Sequence, residues 1–464
     1  MGALLYITFM KLLSILFFCI AFQSGITQTV RFNNMYFDSE YGTLRNIIVD
    51  DSGYVSVGGE GVSKTDLLVM AVDFNGHLRW FKRYAIDSSD FYHGFENSLT
   101  RASDGNYLLP SCIFKKNSEE KAAGLVLFNP AFDTLWVKML LKDTIYIDAM
   151  DCALSNDNGY IFVGTKAINS NYTDAIMVKT DSIGNLQWYK LYGGVSQDGG
   201  FKIVKTHTGG YLLGGYTRSF SSVDQMQAGE WYLVKTDSAG NQQWQNHYGN
   251  PLYDDGRTWD LISTKDSGFI ATGQIVTQNI DGNDFRRGRI IRFDKNMNIV
   301  WDKQYLFDGV TSGCGSVIEL DDGSFVIIGG VFYETETNYF LEGKMFKIKS
   351  NGDLLWERAY KAWPTSTNNM SLTQAFTQTP DNGFAITGYC TNSYAPPPTQ
   401  RMWLVKTDCK GYEHAPVAIF SYMQNQKTIT CFNASQNVDS CFWDFGDGTP
   451  LLLDRKSTRL NSSH

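Results

Sequence analysis

The mature part of this chain offers no sustained helical period, no excess of basic charge and no cysteine framework. It also has no apolar run long enough to span a membrane. Without a 3.6-residue period, helical bundles and alternating α/β folds drop out, and period-2 strand patterns carry the fold. With 40 Lys plus Arg against 48 Asp plus Glu, the net charge of −8 leaves a nucleic-acid role without an electrostatic footprint. Once an N-terminal signal is removed, seven cysteines remain: Cys112, Cys152, Cys314, Cys390, Cys409, Cys431 and Cys441. An odd number, spread widely along the chain, is a poor disulfide scaffold, and no spacing resembles a zinc site. The six histidines, His77, His93, His207, His247, His414 and His464, are scattered. No Ser-His-Asp order, paired catalytic carboxylates or metal-ligand run stands out.

What is present is repetition. Tryptophan recurs at Trp80, Trp136, Trp188, Trp244, Trp301 and Trp356, at spacings of 52–57 residues. The glycine of a D-x-G-aromatic turn recurs seven times, at Gly53, Gly105, Gly159, Gly210, Gly268, Gly323 and Gly383. Such a period means stacked copies of one supersecondary unit. In the fourth copy Phe201–Thr206, Tyr211–Tyr216, Trp231–Lys235 and Gln243–His247 read as four strands, punctuated by Asp, Gly and Asn. Four strands in about 55 residues make a propeller blade, which leaves only short edges exposed. The expected fold is therefore all-β: a seven-bladed β-propeller of four-stranded blades over residues 28–413.

The last repeat has a third strand, Met402–Lys406, but no tryptophan strand. At the other end, Thr29–Phe37 precedes the first repeat without a partner. Pairing the two would close the circle. Ahead of them, Met10–Lys11, the apolar run Leu12–Phe22 and the polar Gln23–Gln28 have the three parts of a secretory signal peptide, with cleavage expected before Gln28. Localisation is accordingly expected to be secreted or at the outer cell surface, with no span left after signal removal.

After Glu413 the pattern changes. The run Phe432–Gly448, FNASQNVDSCFWDFGDG, resembles the signature of PKD domains. That resemblance implies a partial immunoglobulin-like β-sandwich over 414–453. The last eleven residues, Asp454–His464, match the translation of a sequencing adapter and are expected to be irregular and without a role. The blades themselves, of the form GGY…KTDSxGNLxWxKxYGG, resemble those of large secreted proteins of the Bacteroidetes, which often carry PKD modules and a sorting domain for type IX secretion. The turn Asp181–Asn185 before Trp188 also resembles the tryptophan-docking repeat of quinoprotein propellers. The adjacent cysteine pair of that family is missing, so the tryptophan is read as a structural wedge. A sialidase-type Asp box is matched only partly, at Asp254–Trp259.

Two features suit binding. Ten residues after a blade tryptophan stand Asp90, Asp198 and Asp254, in loops leading to the next inner strand. Together they would form an acidic rim able to hold sugar hydroxyls or a cation such as Ca2+; alternatively each accepts backbone hydrogen bonds in its own turn. The basic group Arg286, Arg287, Arg289 and Arg292 is either a solvated face or a seat for an anionic glycan. No other cofactor is expected. The leading functional expectation is a monomeric, non-catalytic scaffold that binds an extracellular glycan or protein through one propeller face. The alternative is a glycan hydrolase or lyase with carboxylates at the channel mouth.

Overall fold

The structure, a computed structural model, describes residues 18–20, 30–36, 42–60, 66–84, 89–94, 96–115, 119–220, 229–249, 256–278, 284–307, 311–334, 339–362, 369–392, 399–415, 417, 420–425, 428–437, 440–444, 452–455 and 460–463. Among them every regular element is a strand. They fall into two compact units, Asn33–Thr379 with Phe384–Val405, and Met1–Phe32 with Pro380–Gly383 and Lys406–His464.

The larger unit is a β-propeller. Its first sheet runs Gly42–Asp50, Gly53–Glu60, Asp66–Asp73 and Leu78–Tyr84, each strand antiparallel to the next. The fourth repeat folds as Asp198–Lys205, Tyr211–Thr217, Glu230–Thr236 and Gln242–Tyr248, so the sequence reading caught each strand within three residues. The third and fifth sheets follow the same order, and in the second two short inner strands, Ser89–His93 and Thr100–Arg101, both pair with Tyr107–Lys115. Apolar residues of successive sheets meet in separate layers rather than one core. Val57 and Val69 pack with Leu109 and Phe128, Phe162 and Val178 with Leu108 and Leu125, and Leu233 with Ile291 and Phe269.

The count of seven separate blades is corrected. Five blades stand alone, and the last two repeats share one eight-stranded sheet. The reason lies in one long strand, Tyr339–Ile348. Its outer neighbour Leu354–Tyr360 pairs only with Gly343–Ile348, which leaves the first residues of that edge uncovered. Leu341 there bridges to Met370 of the following repeat in parallel fashion.

The N-terminal strand Phe32–Tyr36 lies beside Thr399–Thr407 at the end of this sheet, as the missing tryptophan strand suggested. The Trp403 indole donates to Asn33 Oδ1 at 2.6 Å. The Tyr36 hydroxyl reaches the Gly76 carbonyl of the first sheet at 2.7 Å.

The outer strands of the third and fifth sheets clamp the next sheet in the same way. Trp188, half-buried, lies so close to Gly240 that a Cβ there would stand 2.7 Å from its ring. Two residues on, the Lys190 ammonium donates to Asn241 Oδ1 at 2.5 Å, and after two more the Tyr192 hydroxyl donates to the Gly240 carbonyl at 2.7 Å. Trp301, Lys303 and Tyr305 repeat this on Ser350, Asp353 and Gly352, at 2.9, 2.7 and 2.7 Å. The turn that is gripped exists because Asp237 Oδ1 accepts the amides of Ala239 and Asn241, while Gly240 takes φ 76°, where a side chain is strained.

In the smaller unit, Arg31 pairs with Asp408 at 2.8 Å and the Lys406 ammonium with Asp381 at 2.9 Å. Its remaining strands form two three-stranded sheets. Phe420–Asn425, Thr428–Asn433 and Leu460–Ser463 make one; Phe18–Ile20, Ser440–Asp444 and Leu452–Arg455 make the other. They do not make the PKD-like sandwich expected from the sequence, because six short strands cannot supply two full covering layers. Phe445–Gly448 of the motif lie outside the described residues. The tail is also corrected: instead of being irregular, Leu460–Ser463 pairs with Thr428–Cys431.

Trp188→Ala is expected to cost about 2–3 kcal/mol of unfolding free energy, below the roughly 3–5 kcal/mol of a fully buried aromatic because one face is wet. Tyr192→Phe, which removes only the hydrogen bond, should cost about 1 kcal/mol. Urea melts check both, and a Trp188→Ala midpoint equal to that of the exposed-position control Gln187→Ala would refute the clamp.

Candidate functional site

The innermost strands carry a β-bulge at one level. The pairing slips between Leu44 and Asn46, Gly200 and Lys202, Thr258 and Asp260, and Thr373 and Ala375, so Arg45, Phe201, Trp259 and Gln374 are the extra residues. A bulge re-aims side chains and leaves the ladder otherwise intact. At two of them the residue just after the bulge accepts a backbone amide of the next sheet. The Leu99 amide donates to Asn46 Oδ1 at 2.8 Å, and the Val317 amide to Asp260 Oδ2 at 2.9 Å. At the equivalent place in the third sheet, Asp151 Oδ2 accepts the Ile203 amide at 2.9 Å.

These tying residues converge on Lys202, which is buried. Its ammonium donates to the Glu96 carbonyl and sits 3.4 Å from Asp260. Burial holds the Glu96 carboxyl above its ordinary range, and Arg45, 3.8 Å away, acts against that shift. Burial likewise raises Asp151 to about 6, opposed by Lys202. For Lys202 burial disfavours the cation, yet Asp260, Asp151 and Glu96 together lift it above the ordinary lysine value. Buried charges of this kind persist only when paired. The centre is a structural pin.

Above the pin, where the inner strands of the third, fourth and fifth sheets begin, the bulged residues gather a second group. The Arg257 guanidinium lies 4.6 Å from the ring of Phe201 and 5.7 Å from that of Trp259. Phe201 is buried and stands 5.7 Å from Tyr216. The exposed Tyr146 donates its hydroxyl to Asp148 Oδ2 at 2.5 Å, while the Thr165 amide donates to Asp148 Oδ1 at 2.5 Å. Burial pushes Asp148 up to about 7, against these hydrogen bonds and the nearby Arg257 charge. Enclosure of the Tyr146 hydroxyl and the adjacent Asp148 charge raise that phenol, and burial raises that of Tyr216. An aromatic and cationic shelf results, with one carboxyl held beneath it.

At the edge of this face, a Cβ on Gly193 would meet Asp174 Oδ1 at 2.3 Å and Asp198 Oδ2 at 2.5 Å. Only glycine lets two carboxylates approach that closely. Asp198, buried, accepts the Gly194 amide at 2.8 Å and the Thr217 and Ser219 hydroxyls at 2.5 Å each. Asp174 is raised to about 6 by burial and by the Asp198 charge.

Of the three aspartates expected to form an acidic rim, Asp198 spends its carboxylate inside its own sheet. Asp90 lies in the strand Ser89–His93 opposite Phe114, and Asp254 falls outside the described residues. Among the described residues no group of three or more acidic, histidine or cysteine side chains is arranged to hold a metal. Two members of the basic group serve the fold: Arg289 pairs with Asp302 at 2.7 Å and Arg292 with Asp266 at 2.5 Å. Cys112, Cys152, Cys314 and Cys390 are buried thiols, and Cys409 is exposed. Sequence analysis did not assign Tyr146, Phe201, Arg257 and Trp259 to a site: the bulges at Phe201 and Trp259 leave no mark in a period-2 pattern, and Tyr146 and Arg257 stand outside the strands.

The chain matches no protein family and no curated protein. Among solved structures it is similar to the periplasmic gluconolactonase PpgL of Pseudomonas aeruginosa, at 11% identity over 80% of this chain and 98% of that one, TM-score 0.44. It is also similar to the β-propeller domain of the trilobed protease from Pyrococcus furiosus, at 10% identity over 79% and 94%, TM-score 0.42. A third likeness is to a PL25 ulvan lyase, at 8% identity over 81% and 96%, TM-score 0.45. Likeness at this level concerns the fold and not activity.

Lys202→Met should destabilise the chain by about 3–5 kcal/mol, since it strands Glu96, Asp151 and Asp260 without a counter-charge. Chemical denaturation at pH 7 measures it; a loss below 1 kcal/mol would refute the pin. Asp174 has a raised folded pKa, so its contribution is full below the ordinary value of 3.8 and is lost as pH rises through about 6. Asp174→Asn should therefore gain stability relative to the parent between pH 4 and 6, with the difference flat above about pH 7. Paired urea titrations across that range read the trend, and a difference independent of pH would contradict it.

Proposed function

We propose that the propeller is a recognition module, displayed outside the cell, that binds a glycan where the inner strands of the third to fifth sheets begin. One observation carries the reading: the shelf formed by Tyr146, Phe201, Tyr216, Arg257 and Trp259, contributed by three sheets. Sugar rings present apolar C–H faces that pack on aromatic rings, and hydroxyls that seek fixed polar partners. The Tyr146 hydroxyl, anchored on Asp148, and the Arg257 guanidinium supply such partners. The rigid ladders beneath the shelf mean that binding need order few side chains, which favours affinity.

The carboxylates of this face are turned inward: Asp148 and Asp198 each hold neighbouring donors within the fold. This supports recognition over hydrolysis or elimination. A glycan array with the expressed chain tests the reading. Tyr146→Ala and Trp259→Ala should each weaken binding at least about tenfold while leaving the melting temperature within error, as for central interface aromatics. Release of reducing or unsaturated ends from any bound glycan would instead make the protein an enzyme, and unchanged binding by both variants would move the site elsewhere.

A further inference from the structure

We propose that Arg257 forms a subsite for an anionic group on the sugar, a carboxylate or a sulfate ester, so that the ligand is an acidic glycan. The inference rests on the glycan reading above and sharpens it. Arg79, Arg83, Arg289 and Arg292 each meet an aspartate or glutamate within 3 Å. Arg257 is held differently, by ring faces: Phe201 at 4.6 Å and Trp259 at 5.7 Å. A guanidinium in contact with a ring face keeps its N–H donors in its own plane, directed past the ring edge. Those donors match the paired oxygens of a carboxylate or sulfate.

The surroundings favour an external anion over an internal one. Among the described residues Asp148 is an acid that interacts with Arg257, but its two oxygens already accept from Tyr146 and Thr165 at 2.5 Å each, and burial favours its neutral form. The guanidinium is half-buried, so an ion pair formed there is less screened than one on the open surface. With a net charge of −8, the chain as a whole repels polyanions. Attraction has to be local, which makes it selective for a ligand that fits the shelf.

The test uses the full chain and a set of glycans in three forms: neutral, uronate-bearing and sulfated. Carboxyl-reduced and desulfated derivatives of the acidic members separate the two anions. Acidic members should bind at least about tenfold tighter than their neutralised derivatives, consistent with one charge-assisted pair. Arg257→Met should abolish that preference, and Arg257→Lys should keep part of it by charge alone. Preference lost on carboxyl reduction identifies the uronate; preference lost on desulfation identifies the sulfate. Neutral and acidic forms binding equally, with Arg257→Met unchanged, would overturn the subsite and leave the glycan reading standing. Binding of no glycan at all would overturn both.

Discussion

The contact on which the propeller depends is the grip of an outer strand on the tight turn of the next sheet. A four-stranded sheet with apolar residues on both faces cannot hide them alone, so each must be held against its neighbour. Trp188, Lys190 and Tyr192 do this with three different interactions on one short turn: ring packing on Gly240, a bond to Asn241 and a bond to the Gly240 carbonyl. Because the turn residue is glycine, the ring can sit directly on the backbone. Spacing between sheets is thereby set at the periphery, and the apolar layers inside are filled to fit it.

At the first repeat the same grip comes from the N-terminal strand just ahead of it. In Phe32–Tyr36 the phenylalanine occupies the tryptophan position of the frame, Asn34 the lysine position and Tyr36 the tyrosine position. Tyr36 and Asn34 both donate to the Gly76 carbonyl, at 2.7 and 3.3 Å. The strand also pairs with Thr399–Thr407, which would otherwise be an open edge. One strand thus completes a sheet and clamps its neighbour at once.

The centre obeys a different rule. There the inner strands approach so closely that backbone groups of one sheet need partners from another, and Asn46, Asp151 and Asp260 provide them. The cost of burying those carboxylates is offset by Lys202. The bulges that precede Asn46 and Asp260 have their counterparts at Phe201 and Trp259, the extra residues of the fourth and fifth sheets. Part of the structural pin and part of the proposed binding shelf therefore share the bulges of the fourth and fifth sheets.

Much of the architecture could be read from local pattern. The alternating strands, the Asp-x-x-Gly turns, the tryptophan frame and the orphan N-terminal strand are each encoded within a few neighbouring residues, and they fixed strand order and closure. The sequence overstated two things. Seven repeats do not guarantee seven separate sheets, because Leu341 and Met370 bridge two of them; and a PKD-like motif does not by itself supply enough strands for a sandwich. Side-chain gathering was not legible at all. Arg257 and Phe201 lie 56 residues apart in the chain, and the carboxylates of Asp174 and Asp198 meet only across Gly193. Local sequence determines what each segment becomes, since turns and alternation are short-range; which side chains share a site depends on how neighbouring sheets pack, and only the tertiary structure decided that.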